Sequence, residues 1–200
     1  MMPKTVSGFR HHALAGQRKF EQTSQSDLLG VAPIKALANI TQGRRMMKTA
    51  EVLKEHSFLE RLVGDWTVTA PEMSGGEPWT ETVRSLHGIW FVAEGTGRMP
   101  DGKQATSILT LGYNAAKAKY VGSWIGSMMD FMWIYEGELD ASGNVLDLYT
   151  TGPDFNGEGL ADYRERITFV DADHRTFISS ARQPDGAWKQ FMEAHYARQI

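Results

Sequence analysis

The spacing of apolar residues changes at the stretch Leu62–Trp66. From Thr49 up to this stretch, apolar side chains recur every three or four residues, which is typical of one face of a helix. Gly64 follows as the expected C-terminal stop. Beyond Trp66, apolar and polar residues alternate, which is typical of half-buried strands. The positions that define the helical face are Val52, Leu53, His56, Leu59, Leu62 and Val63.

Turn residues divide the alternating part into about ten strands. Segments such as Pro100-Asp101-Gly102 are typical of hairpin turns, because Pro presets φ and Gly accepts a positive one. The predicted strands are Trp66–Ala70, Trp79–His87, Ile89–Arg98, Lys103–Gly112, Lys119–Ser127, Asp130–Leu139, Asn144–Gly152, Leu160–Val170, Arg175–Arg182 and Trp188–Arg198.

The short links between these strands favour an up-and-down meander, and closure would remove its two exposed edges. We therefore predict an all-β fold: a closed antiparallel up-and-down β-barrel of about ten strands, with one short N-terminal helix at the barrel mouth. A barrel of that size has room inside for one small ligand.

Charge divides the 200-residue chain, whose net charge is −3. Lys and Arg outnumber Asp and Glu in residues 1–48, whereas acidic residues prevail in the rest. We predict that residues 1–48 form a basic, disordered extension and that residues 49–200 form the barrel domain. The acidic body argues against a nucleic-acid partner. No apolar run reaches the roughly 18 residues of a membrane span, so we expect a cytoplasmic protein.

Gly64-Asp65-Trp66, which follows the short helix, resembles the Gly-x-Trp signature of lipocalins and the wider calycin group. In that group the Trp closes the base of the barrel and an Arg from a late strand stacks over it. The resemblance implies that Trp66 and Arg198 form this barrel-closing pair, through a cation–π contact worth about 0.5–2 kcal/mol.

The chain from about Glu55 to Arg198 is also similar to a bacterial family known only as domain of unknown function 1579, for which a lipocalin-like barrel is expected. The resemblance implies the fold and supplies no reaction. The residues that carry it are His56–Trp66, Leu111–Asn114, Tyr120–Trp124 and Tyr196–Arg198.

Alternation along a strand predicts which side chains face the barrel interior. If Tyr196 and Arg198 point inward, Trp188, Gln190, Met192 and Ala194 on the last strand do so too, whereas Glu193 and His195 face solvent. An aromatic lining with a few polar groups is typical of a small-molecule pocket, although the same residues could fill a solid core. The predicted ligand-binding residues are Trp124, Phe131, Trp133, Tyr135, Tyr163, Glu165 and Met192.

Glu165 is the polar residue of this set with the clearest chemical potential. A carboxylate among aromatic rings has a raised pKa and can act as an acid or a base. Arg164 and Arg166 project to the opposite face, so we expect Glu165 to pair with an Arg from a neighbouring strand or to lie at the rim.

Three functions are compatible with these patterns. An open, charge-free cavity would favour binding of a small apolar or aromatic molecule. An open cavity with an unpaired buried carboxylate would favour acid–base isomerisation or hydrolysis by Glu165, Tyr135 or Tyr163, and a solid barrel would favour a structural or interaction role, with a possible homodimer. Haem held by one His, as in a nitrobindin-like protein, is disfavoured because its candidate, His195, is predicted to face outward. No catalytic residue, metal or cofactor is assigned.

Overall fold

The structure of the protein, a computed structural model, describes residues 49–71, 77–155 and 157–199. The predicted basic extension, residues 1–48, lies outside the described residues and stays a prediction. In the described part of the chain, no helix has the length and hydrophobicity of a transmembrane span.

In the described part of the chain, ten antiparallel strands follow a short helix, and each strand pairs with the next along the sequence. β1 also pairs with β10, which closes the sheet into a barrel. The predicted closed up-and-down barrel is therefore confirmed. The elements are α1 (His56–Glu60), β1 (Gly64–Thr69), β2 (Trp79–Leu86), β3 (Trp90–Arg98), β4 (Gln104–Asn114), β5 (Lys119–Gly126), β6 (Trp133–Leu139), β7 (Val145–Pro153), β8 (Leu160–Phe169), β9 (His174–Arg182) and β10 (Trp188–Arg198).

The helix α1 is shorter than its apolar period predicts. The amides of Leu62 and Val63 donate to carbonyls only three residues back, at 3.0 and 3.2 Å, so the chain leaves the α-helix in a tighter turn. Val52 is 62% exposed and lies outside the buried face. Phe58, Leu59 and Leu62 are almost fully buried and form the plug of the closed end, a name we use for α1 and the turn that follows it.

The strand pair that closes the barrel places Arg198 opposite Trp66. Trp66 is fully buried, and its indole N–H donates to the carbonyl of Leu62 at 2.8 Å. The guanidinium carbon of Arg198 lies 4.2 Å from the indole centroid, which is cation–π distance. The same guanidinium donates to the carbonyls of Val63 at 2.7 Å and Arg61 at 2.9 Å. Arg198 therefore joins the last strand both to the first strand and to the end of the plug.

Gly64 leaves the space that Arg198 occupies. Its φ of +129° is unfavourable for residues with a Cβ, and a Cβ there would lie 2.5 Å from Nη1 of Arg198. The Gly of the Gly-x-Trp signature is thus required both by backbone conformation and by the close approach of the guanidinium.

The last strand departs from strict alternation. Its register against β9 shifts between Gln190 and Met192, where Phe191 is the extra residue of a β-bulge. A shift of one residue reverses the facing of every residue before it. The predictions for Trp188 and Gln190 are therefore wrong. Gln190 is exposed, and Trp188 packs on the outer face.

We expect Gly64→Ala to lower the free energy of unfolding by about 2–4 kcal/mol. The substitution combines an unfavourable φ with displacement of a guanidinium that makes charge-assisted hydrogen bonds. Gly102→Ala is the matched control, because Gly102 has a φ of +80° and nothing within 4 Å of its would-be Cβ. The control should lose only about 1 kcal/mol. Urea unfolding measures both, and equal losses would show that contact with Arg198 contributes nothing.

Candidate ligand-binding cavity

The barrel is solid towards the plug and hollow towards the opposite end. Leu59, Leu146, Leu148 and Ile167 are completely buried in the solid half. The other half contains a cavity of about 370 Å³. Phe155 and Phe191 line this cavity and are 60% and 46% exposed, so they border its opening. A cavity of this size lies within the usual range for small-molecule sites.

Six of the seven predicted binding residues lie in the cavity wall, and whether they contact a ligand stays a prediction. These six are Trp124, Trp133, Tyr135, Tyr163, Glu165 and Met192. Phe131 is the exception. β6 begins only at Trp133, so the alternation does not extend back to Phe131, which packs edge to face against Trp133 at 5.0 Å.

Several wall residues were not identified from the sequence. Trp79, Glu81 and Phe177 lie on predicted strands, and inward alternation could have identified them. Phe155 comes from the loop after β7, and Phe191 faces the cavity only because of the bulge, so no local pattern identifies either.

Four aromatic rings at the opening form what we call the mouth cluster: Trp133, Phe155, Tyr163 and Phe191. Trp133 and Tyr163 are perpendicular at 5.1 Å, and Phe155 lies 5.6 Å from Tyr163. The Tyr163 hydroxyl donates to the carbonyl of Pro153 at 2.6 Å, which fixes that ring. Gly152 lets the Trp133 indole approach, because a Cβ at Gly152 would lie 2.3 Å from the indole. The steep angles between the rings offer both ring faces and ring edges to a ligand.

An ion pair forms the floor of the cavity. Arg175 donates through Nη2 to Oε1 of Glu81, and both side chains are buried. The guanidinium carbon lies 3.7 Å from the ring centroid of Tyr196 and 4.7 Å from that of Trp66. Burial raises the pKa of Glu81, while the adjacent guanidinium opposes the rise. A guanidinium in hydrogen-bond contact with a carboxyl favours its ionised form, so the contact between Arg175 and Glu81 is a buried salt bridge.

Glu165 is a buried carboxyl in the wall above this floor. It is 7% exposed, and its Oε2 accepts a hydrogen bond from the Ser179 hydroxyl on β9. Burial raises the pKa of Glu165 to about 7, although the Ser179 hydrogen bond opposes the rise. Burial also raises the pKa of the neighbouring Tyr135 hydroxyl, and the Glu165 charge raises it further.

The Arg partner expected for Glu165 is not found among the described residues, and Glu165 does not lie at the rim. Arg164 and Arg166 lie on the outer face, as alternation predicts. Arg166 forms a bidentate pair with Asp147 at 2.7 and 2.8 Å, and Arg164 stacks on Trp188. The neighbouring strand β9 supplies a hydroxyl where an Arg was expected, which leaves Glu165 hydrogen-bonded but without a counter-charge.

His195, the candidate haem ligand, lies on the outer face beside Glu193 at 3.4 Å. The described ranges contain no group of three or more His, Cys, Asp or Glu side chains that could hold a metal ion.

These observations define the class: a closed ten-stranded antiparallel barrel with one plugged end and an internal cavity. The chain belongs to the family described as protein of unknown function (DUF1579), whose model matches residues 51–198. The family resemblance predicted from the sequence is thus confirmed. No curated protein matches the chain.

Solved structures share the barrel at low sequence identity. Rv2717c from M. tuberculosis is 15% identical with a TM-score of 0.50, and the match covers 75% of this chain and 100% of that one. The S-type phycobiliprotein lyase CPES from Guillardia theta is 15% identical with a TM-score of 0.44, over 72% of this chain and 92% of the lyase. EF1p2_mFAP2b bound to DFHBI is 12% identical with a TM-score of 0.39, over 72% and 99%. At such identity, the likeness to Rv2717c shows the fold alone.

We expect Glu165→Gln to change how stability depends on pH. The folded-state pKa of about 7 exceeds the ordinary value of 4.5, so the folded protein binds more protons between these values. The contribution of Glu165 to stability is therefore full below pH 4.5 and is lost as pH rises through 7. The unfolding free energy of the variant minus that of wild type should therefore rise by about 3 kcal/mol from pH 4.5 to pH 8.

Urea unfolding at both pH values measures this gain. The exposed Glu158→Gln is the control for loss of one carboxylate and should show no such gain. A constant difference between wild type and Glu165→Gln across the pH range would contradict the raised pKa.

Proposed function

We propose that this barrel binds a small, largely apolar or aromatic molecule in its interior. The observation that supports this most directly is the cavity of about 370 Å³, walled by aromatic and Met side chains with few polar groups. Burying about 150 Å² of apolar ligand surface there would contribute about 4 kcal/mol. The cytoplasmic location and the homodimer stay predictions.

The preformed wall supports binding over a purely structural role. Side chains of the mouth cluster are held by contacts within the protein, such as the Trp133 indole N–H, which points to the Met129 sulfur at 3.2 Å. A wall already ordered in this way loses little side-chain entropy when a ligand enters.

We expect the neutral fluorescent probe N-phenyl-1-naphthylamine to bind in the cavity and to lose at least about fivefold in affinity in Trp124→Ala, because a wall ring is removed. Tyr135→Ala should weaken it in the same direction. Trp90→Ala is the matched control: Trp90 lies on β3, 43% exposed, and packs against Gly112. Its affinity should stay within about twofold of wild type.

Fluorescence titration measures the dissociation constant of the probe for wild type and for each variant. If Trp124→Ala and Tyr135→Ala bind the probe as wild type does, the proposed lining is wrong. Native mass spectrometry of freshly purified protein then asks which small molecule is retained.

Acid–base chemistry in the same cavity is the second candidate, because the open cavity is not charge-free: it contains the buried carboxyl of Glu165. Its carboxyl is buried without a counter-charge, and a pKa of about 7 suits a group that must both accept and release protons at neutral pH. In an isomerisation, Glu165 would remove a proton from carbon and return it to another carbon of the same substrate, so that no proton is gained or lost overall.

The base probe 5-nitrobenzisoxazole tests this candidate. Removal of its C3 proton breaks the N–O bond and releases a coloured phenolate. We expect the protein-dependent rate to rise with pH through about 7, as Glu165 ionises, and to disappear in Glu165→Gln. Absorbance at several pH values measures it. A rate that survives in Glu165→Gln would exclude Glu165 as the base.

A further inference from the structure

The charges in the cavity wall do not balance. Among the described residues that line it, the charged side chains are Glu81, Glu165 and Arg175. Glu81 and Arg175 form a salt bridge, whereas Glu165 accepts a hydrogen bond from the Ser179 hydroxyl and has no contact with a charged group in the described part of the chain. A carboxylate has about four lone-pair sites, so one hydroxyl leaves most of its capacity unused. When Glu165 ionises, the cavity carries one uncompensated negative charge.

Arg175 is poorly placed to bind an anion. Its Nη2 is bonded to Glu81, and its guanidinium carbon lies within 5 Å of the Tyr196 and Trp66 rings. Its Nε is buried without a hydrogen-bond partner in the described part of the chain, so a ligand in the cavity cannot reach this donor. Arg175 is thus engaged by Glu81 and by two aromatic rings, whereas Glu165 has no charged partner among the described residues.

The aromatic wall also suits a positive ligand. Aromatic rings attract cations through their negatively polarised faces, and cages of such rings bind quaternary ammonium groups. The rings of the mouth cluster stand between the opening and the interior, with neighbouring centroids about 5–6 Å apart. A cation that enters here would lose hydration water, contact the faces of these rings first and then contact the Glu165 carboxylate.

We propose that the ligand of this cavity is a small organic cation, whose charged nitrogen lies beside Glu165 and whose apolar body is surrounded by the mouth cluster. This inference rests on the proposed binding function and names the chemical class of the ligand. The expected class is an amine or quaternary ammonium compound with an aromatic or branched apolar group.

The groups that face Glu165 predict how this binding depends on pH. Ser179 on β9 does not titrate, and burial raises the pKa values of Tyr135 on β6 and Tyr196 on β10, so both hydroxyls stay neutral. The remaining charged neighbours are Glu81 and Arg175, which are paired with each other. Glu165 is therefore the group whose ionisation near pH 7 switches the charge of the wall. A bound cation favours the ionised form, so affinity should rise with pH.

Two probes of equal shape test the charge directly. Phenyltrimethylammonium is a cation, and tert-butylbenzene is its neutral isostere. At pH 8 we expect wild type to bind the cation at least about tenfold more tightly than the isostere. From pH 8 to pH 5.5 the affinity for the cation should fall about 30-fold, while that for the isostere stays constant. Calorimetry, with protein titrated into the probe, measures both.

Glu165→Gln should abolish the preference for the cation and its pH dependence. Glu94→Gln removes an exposed carboxylate on β3 and should keep both. A pH dependence that persists in Glu165→Gln would assign it to Glu81 and overturn the role of Glu165. Circular dichroism checks that each variant is folded, and the comparison of probes on wild type needs no variant at all.

The outcomes separate this inference from the proposed function. If wild type binds the isostere as tightly as the cation at pH 8, the cavity binds small molecules but does not recognise charge, and only the inference is overturned. If the isostere binds and the cation does not, the inference fails in the same way. If neither probe binds at millimolar concentration, both the inference and the proposed binding function are overturned.

Discussion

The contact between Arg198 and Trp66 is the constraint on which the rest of the structure depends. The two residues face each other across the pair of strands that closes the barrel, and the guanidinium also bonds the turn that follows the helix. One side chain therefore fixes three things together: the join of first and last strands, the position of the plug, and the solid end of the barrel. Gly64 is the residue that gives the guanidinium room. Because the sheet closes on itself, its ten strands enclose a volume. The inward side chains fill only part of that volume.

The interior changes in polarity along the barrel axis. Aliphatic and aromatic side chains fill the plugged half, the Glu81–Arg175 pair forms a polar layer, and aromatic rings surround the open half. A buried ion pair seldom adds stability, because desolvation offsets much of its attraction. Here Arg175 also lies close to the Trp66 and Tyr196 rings, so the pair gives the cavity a defined floor. The ion pair lies between the cavity and the plugged half of the barrel.

The two proposed functions, binding and acid–base chemistry, would make different use of the same carboxyl. When it is ionised, Glu165 could bind the positive charge of a ligand. Near its pKa of about 7, it could exchange a proton with a substrate. Both follow from one arrangement, a buried carboxyl whose partner is a hydroxyl and not a cation. An Arg at the position of Ser179 would keep Glu165 ionised and neutralised, and would remove both possibilities.

The sequence by itself determined the number of strands, their up-and-down connection and the inward face of β8, because period-two alternation and turn residues are local properties of the chain. The family was indicated by a resemblance of particular motifs, such as His56–Trp66. It did not determine the facing of Trp188 and Gln190, since a bulge depends on the pairing of two strands. Nor could it show that Ser179 faces Glu165, or that Arg175 is neutralised by Glu81, ninety-four residues away in the chain. A local pattern also could not predict whether the barrel interior is solid or hollow. The cavity depends on how the side chains of all ten strands pack together.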